Sequence, residues 1–376
     1  MTLMLPAEPG HARSLTALLP GLRDAVTRPA GHGWLPAARS AVIVLVDGLG
    51  KATLSSRAGH ARFLTSAMSS KDVARSVFPT TTATALTSLM TGVDAGAHGI
   101  VGYRVRVPGT PHAANQLSGW ERDGLDPESW QRARTLFEDA DAPAFIVSRE
   151  EYRGSGFTQA SFRGATFLSA ADVAERLLLA ADTAARHDGA IVYAYAPELD
   201  VLGHRHGIES GEWTDGLETV DAAVRAFAAA LPEDVGALVT ADHGMIDVPR
   251  RGHVLLQHGN PLLDGVEVVA GEPRMLHLHA HPGDADRLLS AWRTAESARA
   301  WVMSRSEAID AGLFGAVAAD VAPRIGDVLV AARARVAYYD DRTRDKAGQS
   351  MVGQHGSLTS DERLVPLIRL GAFSRR

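Results

Sequence analysis

Three short runs of consecutive apolar residues, many of them β-branched, punctuate the chain: Ala41–Val46, Ala190–Ala196 and Ala237–Thr240. Runs that are apolar throughout, rather than alternating, predict strands buried on both faces. Ala144–Val147 is a fourth, shorter strand of the same kind. Between them lie stretches with helical patterning, at Thr80–Met90 with Thr91-Gly92 as a C-terminal stop, at 171–186 and at 213–231. The last two each lead into a strand, which is a βαβ rhythm and predicts an α/β fold with a mostly parallel central sheet flanked by helices. From His253 to about Asp345 the pattern changes: 274–279 alternates as a strand, 284–295 reads as a helix and 300–303 as another strand. The expected organisation is therefore a catalytic α/β domain of residues 1–252 plus 346–376, with 253–345 as a smaller α+β insert capping the active site. No internal repeat or low-complexity tract interrupts this plan.

Composition narrows the class. With 376 residues the chain can bury a large core, and 38 basic against 44 acidic side chains leave a net charge of −6 with no long basic run. That argues against a nucleic-acid polymer as partner. The absence of cysteine excludes disulfides and thiolate ligands, so any metal must be held by oxygen and imidazole. The segment Met1–Pro6 lacks a basic start and an apolar stretch, and no run approaches about 18 apolar residues. A cytoplasmic protein with no membrane partner is expected, its oligomeric state left open.

Candidate chemistry stands immediately beyond the apolar runs. Asp47 follows the first, Asp200 and His204 the second, Asp242 and His243 the third, and His355 lies in Gly353-Gln-His-Gly356. In open α/β sheets, ligands collect at the carboxyl ends of the strands. Asp200, His204 and His355 can serve one metal ion; Asp47, Asp242 and His243, completed by the Thr82 oxygen, can serve a second. Three imidazoles among six protein ligands favour two Zn²⁺ over magnesium, with Mn²⁺ or iron as alternatives. A metal pair suits phosphoryl transfer, and Thr82 at a helix start, where phosphate is attracted, is the candidate nucleophile. Singly, Asp47-Gly48 reads as a turn, Thr80–Thr82 as a helix cap and Asp242-His243-Gly244 as a loop; four segments placing ligands at strand ends together carry more weight. Tyr103, Tyr195 and Lys51 read first as packing residues and second as substrate contacts. His277, His279 and His281 alternate on one strand face, expected to be a solvated edge, and His206, His253 and His258 read as loop histidines.

In order, Val44-Leu-Val-Asp-Gly48, Phe78-Pro-Thr-Thr-Thr82 with Thr91-Gly92, His98-Gly-Ile100, Asp200-Val-Leu-Gly-His204, Thr240-Ala-Asp-His-Gly244 and Gly353-Gln-His-Gly356 resemble the nucleotide pyrophosphatase/phosphodiesterase branch of the alkaline phosphatase superfamily. The resemblance implies an alkaline-phosphatase-like sheet and a two-zinc hydrolase of small-molecule phosphoesters. It implies that Thr82 is phosphorylated or nucleotidylated in turnover, with Asp47, Asp242 and His243 on one zinc and Asp200, His204 and His355 on the other. The chain departs from the pattern at Ala85, where an asparagine contacting phosphate is usual, and at Ala83-Thr84, where an aromatic-proline pair is usual. Phosphomonoesterase, phosphonoacetate-type hydrolase and phosphomutase are the rivals within the superfamily, and a sulfatase fits less well because Thr82 occupies the place of its modified residue. A catalytically silent, metal-stabilised binding protein is the rival from another class.

Overall fold

A computed structural model describes residues 5–7, 9–28, 33–138 and 142–374; the first four positions of the N-terminal segment lie outside them. The eight strands of the main sheet are β1 (Arg13–Ser14), β2 (Ser40–Val46), β3 (Val73–Arg75), β4 (Ala144–Ser148), β5 (Thr166–Ser169), β6 (Ile191–Ala196), β7 (Val235–Thr240) and, late in the chain, β12 (Leu364–Gly371). Their order across the sheet is β1-β3-β12-β7-β2-β6-β4-β5. The five strands from β7 to β5 are mutually parallel, and β12 runs antiparallel between β7 and β3. Every residue of β2 and β7 is buried, as expected of uninterrupted apolar runs at the centre of a sheet covered on both sides.

Helices flank the sheet. The helix α1 (Thr82–Thr91) is buried along its whole length and ends on Gly92, whose φ of 71° is left-handed and suits glycine. Two of its hydroxyls are satisfied within the helix, Thr87 and Thr91 donating to the carbonyls of Ala83 and Thr87, whereas the buried Thr84 hydroxyl has no partner. The helix α2 (Val173–Arg186) packs on β6 and β2, α3 (Glu198–His206) follows β6 directly, and α4 (Gly211–Ala230) lies against α2 and α3. Among the described residues no helix is long and apolar enough to cross a membrane.

A second sheet, antiparallel, is formed by β8 (Val266–Glu272), β9 (Met275–Ala280), β10 (Ala300–Ser304) and β11 (Val328–Ala332), in the order β8-β9-β11-β10. The alternation of side chains divides its two faces. Leu276, Leu278, Val328 and Val330 form a core of their own with Leu288 and Trp292 of α5 (Ala285–Glu296). Met275, Leu329, Ala331 and Met303 join the core of the main body. His277 and His279 lie on that second face and are buried, so the expected solvated edge is wrong. The strand is paired on both sides, and its histidine face is turned inward. Burial lowers both imidazoles, to about 3 and about 2, and keeps them neutral. His281, beyond the strand end, is exposed.

One buried ion pair ties the second sheet to the first. Arg274 donates through Nε and a terminal nitrogen to the two oxygens of Glu362, each at 2.8 Å, and both side chains are fully buried. The remaining guanidinium hydrogens go to the carbonyls of Ala332, Ala334 and Val336. Glu362 also accepts from the amide of Ser357 at 3.0 Å and from the Thr359 hydroxyl. Removing one member leaves the other charged and unpaired out of water. Glu362→Ala is expected to lower unfolding stability by about 3–5 kcal/mol, measured by denaturant titration; a loss below about 1 kcal/mol would show that the pair is dispensable.

Candidate metal centre

The ligand-type residues meet at the carboxyl edge of the parallel strands. Asp47 follows β2 and Asp242 follows β7, and these strands are neighbours in register from Ser40 opposite Val235 to Leu45 opposite Thr240. Asp200 and His204 are four residues apart on α3 and so project from one face. Gly48, at φ 75°, lets the first of these segments touch the third: a Cβ there would lie 3.1 Å from the Asp200 Cα. His355 arrives from far along the chain on the short strand Gly353–Gln354, paired antiparallel with Ile246–Asp247.

Thr80 holds that last segment in place. Its amide donates to the Gly356 carbonyl at 3.1 Å, its hydroxyl donates to the Ser357 carbonyl at 2.9 Å and accepts from the Gly356 amide at 3.1 Å. Its own carbonyl lies 2.8 Å from His355 Nδ1. The other two histidines are oriented alike, with His204 Nδ1 2.8 Å from the Gly353 carbonyl and His243 Nδ1 3.2 Å from the Gly244 carbonyl. A carbonyl can only accept, so each imidazole carries its proton on Nδ1 and turns a bare Nε2 lone pair inward, the arrangement metal-ligating histidines adopt.

Carboxylate oxygens surround those lone pairs. His243 Nε2 is 3.4 Å from Asp47 Oδ1 and 3.4 Å from Asp242 Oδ2; His204 Nε2 is 3.4 Å and His355 Nε2 3.8 Å from Asp200 Oδ1. These same three oxygens are buried and have no hydrogen-bond partner. The ligand atoms of Asp47, Asp242 and His243 lie within 4.8 Å of one another, as do those of Asp200, His243 and His355. His243 thus faces both groups, and His204 stands at the margin beside Asp200. Thr82, the first residue of α1, lies with its hydroxyl 3.1 Å from His243 Nε2.

Without a cation the cluster is electrostatically incomplete. Burial, then the neighbouring carboxylates of Asp242 and Asp200, pushes Asp47 well above the usual carboxylate range. Asp242 is raised as well, chiefly by burial, and burial with the adjoining His243 and His204 drives His355 down. Orphaned buried acceptors facing bare imidazole nitrogens, with no thiol among them, fit a transition metal bound by nitrogen and oxygen.

One residue that its sequence context did not single out also joins the site. Glu272, at the end of β8, is buried beside Gly356 with Oε2 4.0 Å from His355 Nδ1, and burial raises its carboxyl to about 8 despite a hydrogen bond from Thr81. Tyr195 donates its hydroxyl to Asp47 Oδ2. Ala85 is buried within α1. The Tyr103 hydroxyl accepts from Asn115 at 2.7 Å, and Lys51 opens the short helix Lys51–Ser56. His206 and His258 are exposed, and His253 packs on Tyr339 with ring centroids 4.9 Å apart.

Residues 41–358 match the family described as type I phosphodiesterase / nucleotide pyrophosphatase. No sequence among the curated proteins matches the chain. Among solved structures, human ectonucleotide pyrophosphatase / phosphodiesterase 5 is similar, with 16% identity, a TM-score of 0.68 and 89% of this chain and 90% of that one covered. The murine protein, in an inactive form in complex with AMP, matches with 16% identity, TM-score 0.67 and 88% of each chain covered. Phosphonoacetate hydrolase from Sinorhizobium meliloti 1021, in complex with phosphonoformate, matches with 19% identity and TM-score 0.66, over 91% of this chain and 92% of that one.

The carboxylate cluster sets a pH dependence. Asp47, Asp242 and Glu272 have folded-state pKa values above their ordinary ones, so in metal-free protein their contribution is fully present below about pH 4 and is lost as pH rises through the folded values. Metal binding needs Asp47 and Asp242 ionised. The melting temperature gained on adding Zn²⁺ to chelator-stripped protein is therefore expected to grow as the pH rises above the ordinary carboxylate range. A gain that is absent or independent of pH, read by thermal denaturation, would refute a metal role for the cluster.

Proposed function

The chain belongs to the type I phosphodiesterase / nucleotide pyrophosphatase family, and from that premise we propose that it is a two-metal phosphoester hydrolase acting through Thr82. The observation that carries this reading is the position of the Thr82 hydroxyl at the start of a buried helix, 3.1 Å from His243 Nε2, the same nitrogen that lies 3.4 Å from the unpartnered oxygens of Asp47 and Asp242. Asp47, Asp242 and His243 would hold one ion, Asp200, His204 and His355 the other, with zinc favoured by the donor set. When bound, the metals supply Lewis-acid stabilisation of the phosphoryl oxygens and favour the ionised form of the Thr82 hydroxyl.

The chain's own groups do the rest. Thr82 Oγ1 releases its proton to solvent and attacks phosphorus, the P–O bond to the leaving group breaks, and the departing oxygen takes a proton from water. A second water then cleaves the threonyl phosphoester and restores the hydroxyl. The free amides at the start of α1 would complement the charge of phosphoryl oxygens held there. The Nδ1 bonds to the carbonyls of Thr80, Gly353 and Gly244 keep the three imidazoles from rotating.

For the substrate, a small phosphodiester or nucleotide pyrophosphate is the first choice. A phosphonoacetate-type substrate is the second, favoured by one feature of α1: Ala85 offers no amide to a non-bridging oxygen, so the usual phosphodiester contact is missing. A panel of bis-p-nitrophenyl phosphate, the corresponding monoester, dinucleoside pyrophosphates and phosphonoacetate, run on zinc-loaded protein, separates these choices. No turnover of any would favour a silent binding protein.

Thr82→Ala is expected to keep the fold and both metals and to lose at least roughly 10³-fold in kcat on whichever ester is turned over. Single-turnover trapping of a phosphorylated or nucleotidylated protein should succeed only with Thr82 present. Near-normal kcat in the variant would transfer the nucleophile to Thr80, Thr81 or water.

A further inference from the structure

Asp47 reaches the centre with its two oxygens in unlike surroundings. Oδ1 faces His243 Nε2 at 3.4 Å and has no hydrogen-bond partner, whereas Oδ2 accepts the Tyr195 hydroxyl. We propose that Tyr195 is the positioning residue of the Asp47–Asp242–His243 metal site: by occupying Oδ2 it holds the carboxylate so that Oδ1 alone is presented to the ion. The inference rests on the two-metal reading above, whose residues fit a transition metal on their donor chemistry.

The fold makes this contact rigid. Tyr195 pairs with Leu45 across β6 and β2, so Asp47, two residues beyond Leu45, lies diagonally opposite on the same side of the sheet, within reach of a long side chain. The phenol ring is held from two directions, stacked at 17° on Tyr193 with centroids 6.2 Å apart and edge-on to Tyr152 at 6.0 Å. Its backbone is held too, because the Tyr195 carbonyl accepts from Arg176 Nε at 2.9 Å. The same guanidinium pairs with Glu198, two residues before Asp200 on α3. The donor to Asp47 and the bearer of Asp200 are therefore braced by one arginine.

A neutral donor is the right chemistry for this position. A lysine or arginine there would neutralise Asp47 and compete with the metal for it. A phenol instead satisfies one oxygen of the buried carboxylate and leaves its charge available. Tyr193 provides an internal comparison. Its hydroxyl is also buried in the stack but has no hydrogen-bond partner, so deleting it removes the same atom without touching Asp47.

The test uses full-length protein stripped of metal and titrated with Zn²⁺ against a chromophoric chelator, alongside Co²⁺ titration followed by its visible spectrum, for wild type, Tyr195→Phe and Tyr193→Phe. The expected result is two sites in wild type and in Tyr193→Phe. Tyr195→Phe should melt within a few degrees of wild type without metal, weaken one site by roughly 10–100-fold and leave the other unchanged, with an altered spectrum for the weakened cobalt ion. Wild-type affinity at both sites in Tyr195→Phe would overturn the assignment. So would loss of both sites together with a large fall in melting temperature, since the hydroxyl would then be supporting the fold rather than one carboxylate. Absence of two sites in wild type would instead sink the two-metal reading itself.

Discussion

Like charges shut away from water are the constraint around which this molecule is arranged. Asp47 and Asp242 present oxygens within 4.8 Å of a shared imidazole nitrogen, and Asp200 does the same on the other side. At an effective dielectric constant of about 20, two unit charges at that separation repel by about 3–4 kcal/mol, and desolvation adds to the cost. Among the described residues no lysine or arginine stands against these oxygens. It surrounds them with neutral donors, Tyr195 on Asp47 and the Gly48 amide on Asp242, and with imidazoles whose protons are turned away. The result is a negatively charged cavity with bare lone pairs, which resists closing on itself and suits cations.

The topology brings this about economically. Parallel strands leave all their carboxyl ends on one edge, so residues just beyond β2, β6 and β7 become neighbours despite nearly two hundred residues between Asp47 and Asp242. This part was legible in the sequence, because uninterrupted apolar runs mark doubly covered strands and the residue after each run marks the edge. Thr82 at a helix start and Gly92 at its end were legible for an equally local reason. Contacts between distant segments were not. Nothing near Tyr195 in the sequence says that its hydroxyl meets Asp47, since that depends on the register of two strands about 150 residues apart. Glu272 is equally silent, since its place beside His355 depends on a strand, Val266–Glu272, from a distant part of the chain. The histidines of β9 misled because alternating polar residues ordinarily mean one solvated face; here that face lies against the main body, where burial keeps the rings neutral.

The second sheet is bound to the chemistry through a continuous series of contacts. Arg274, entering β9, forks onto Glu362; Glu362 accepts from the Ser357 amide; the Ser357 carbonyl accepts from Thr80; and Thr80 lies two residues before Thr82. Glu272, leaving β8, stands beside Gly356 and takes the Thr81 hydroxyl. Two separate routes thus run from one turn between β8 and β9 to the loop of His355 and to the threonine segment ahead of α1. Because Thr80 also accepts from His355 Nδ1, the hydroxyl of Thr82 and the imidazole of His355 cannot shift independently. A segment that only covered the site could be loosened without moving these groups. This one shares its core with the main body and hydrogen-bonds into both segments, so its geometry, together with that of the parallel strands, sets where the threonine hydroxyl stands relative to the carboxylate cluster.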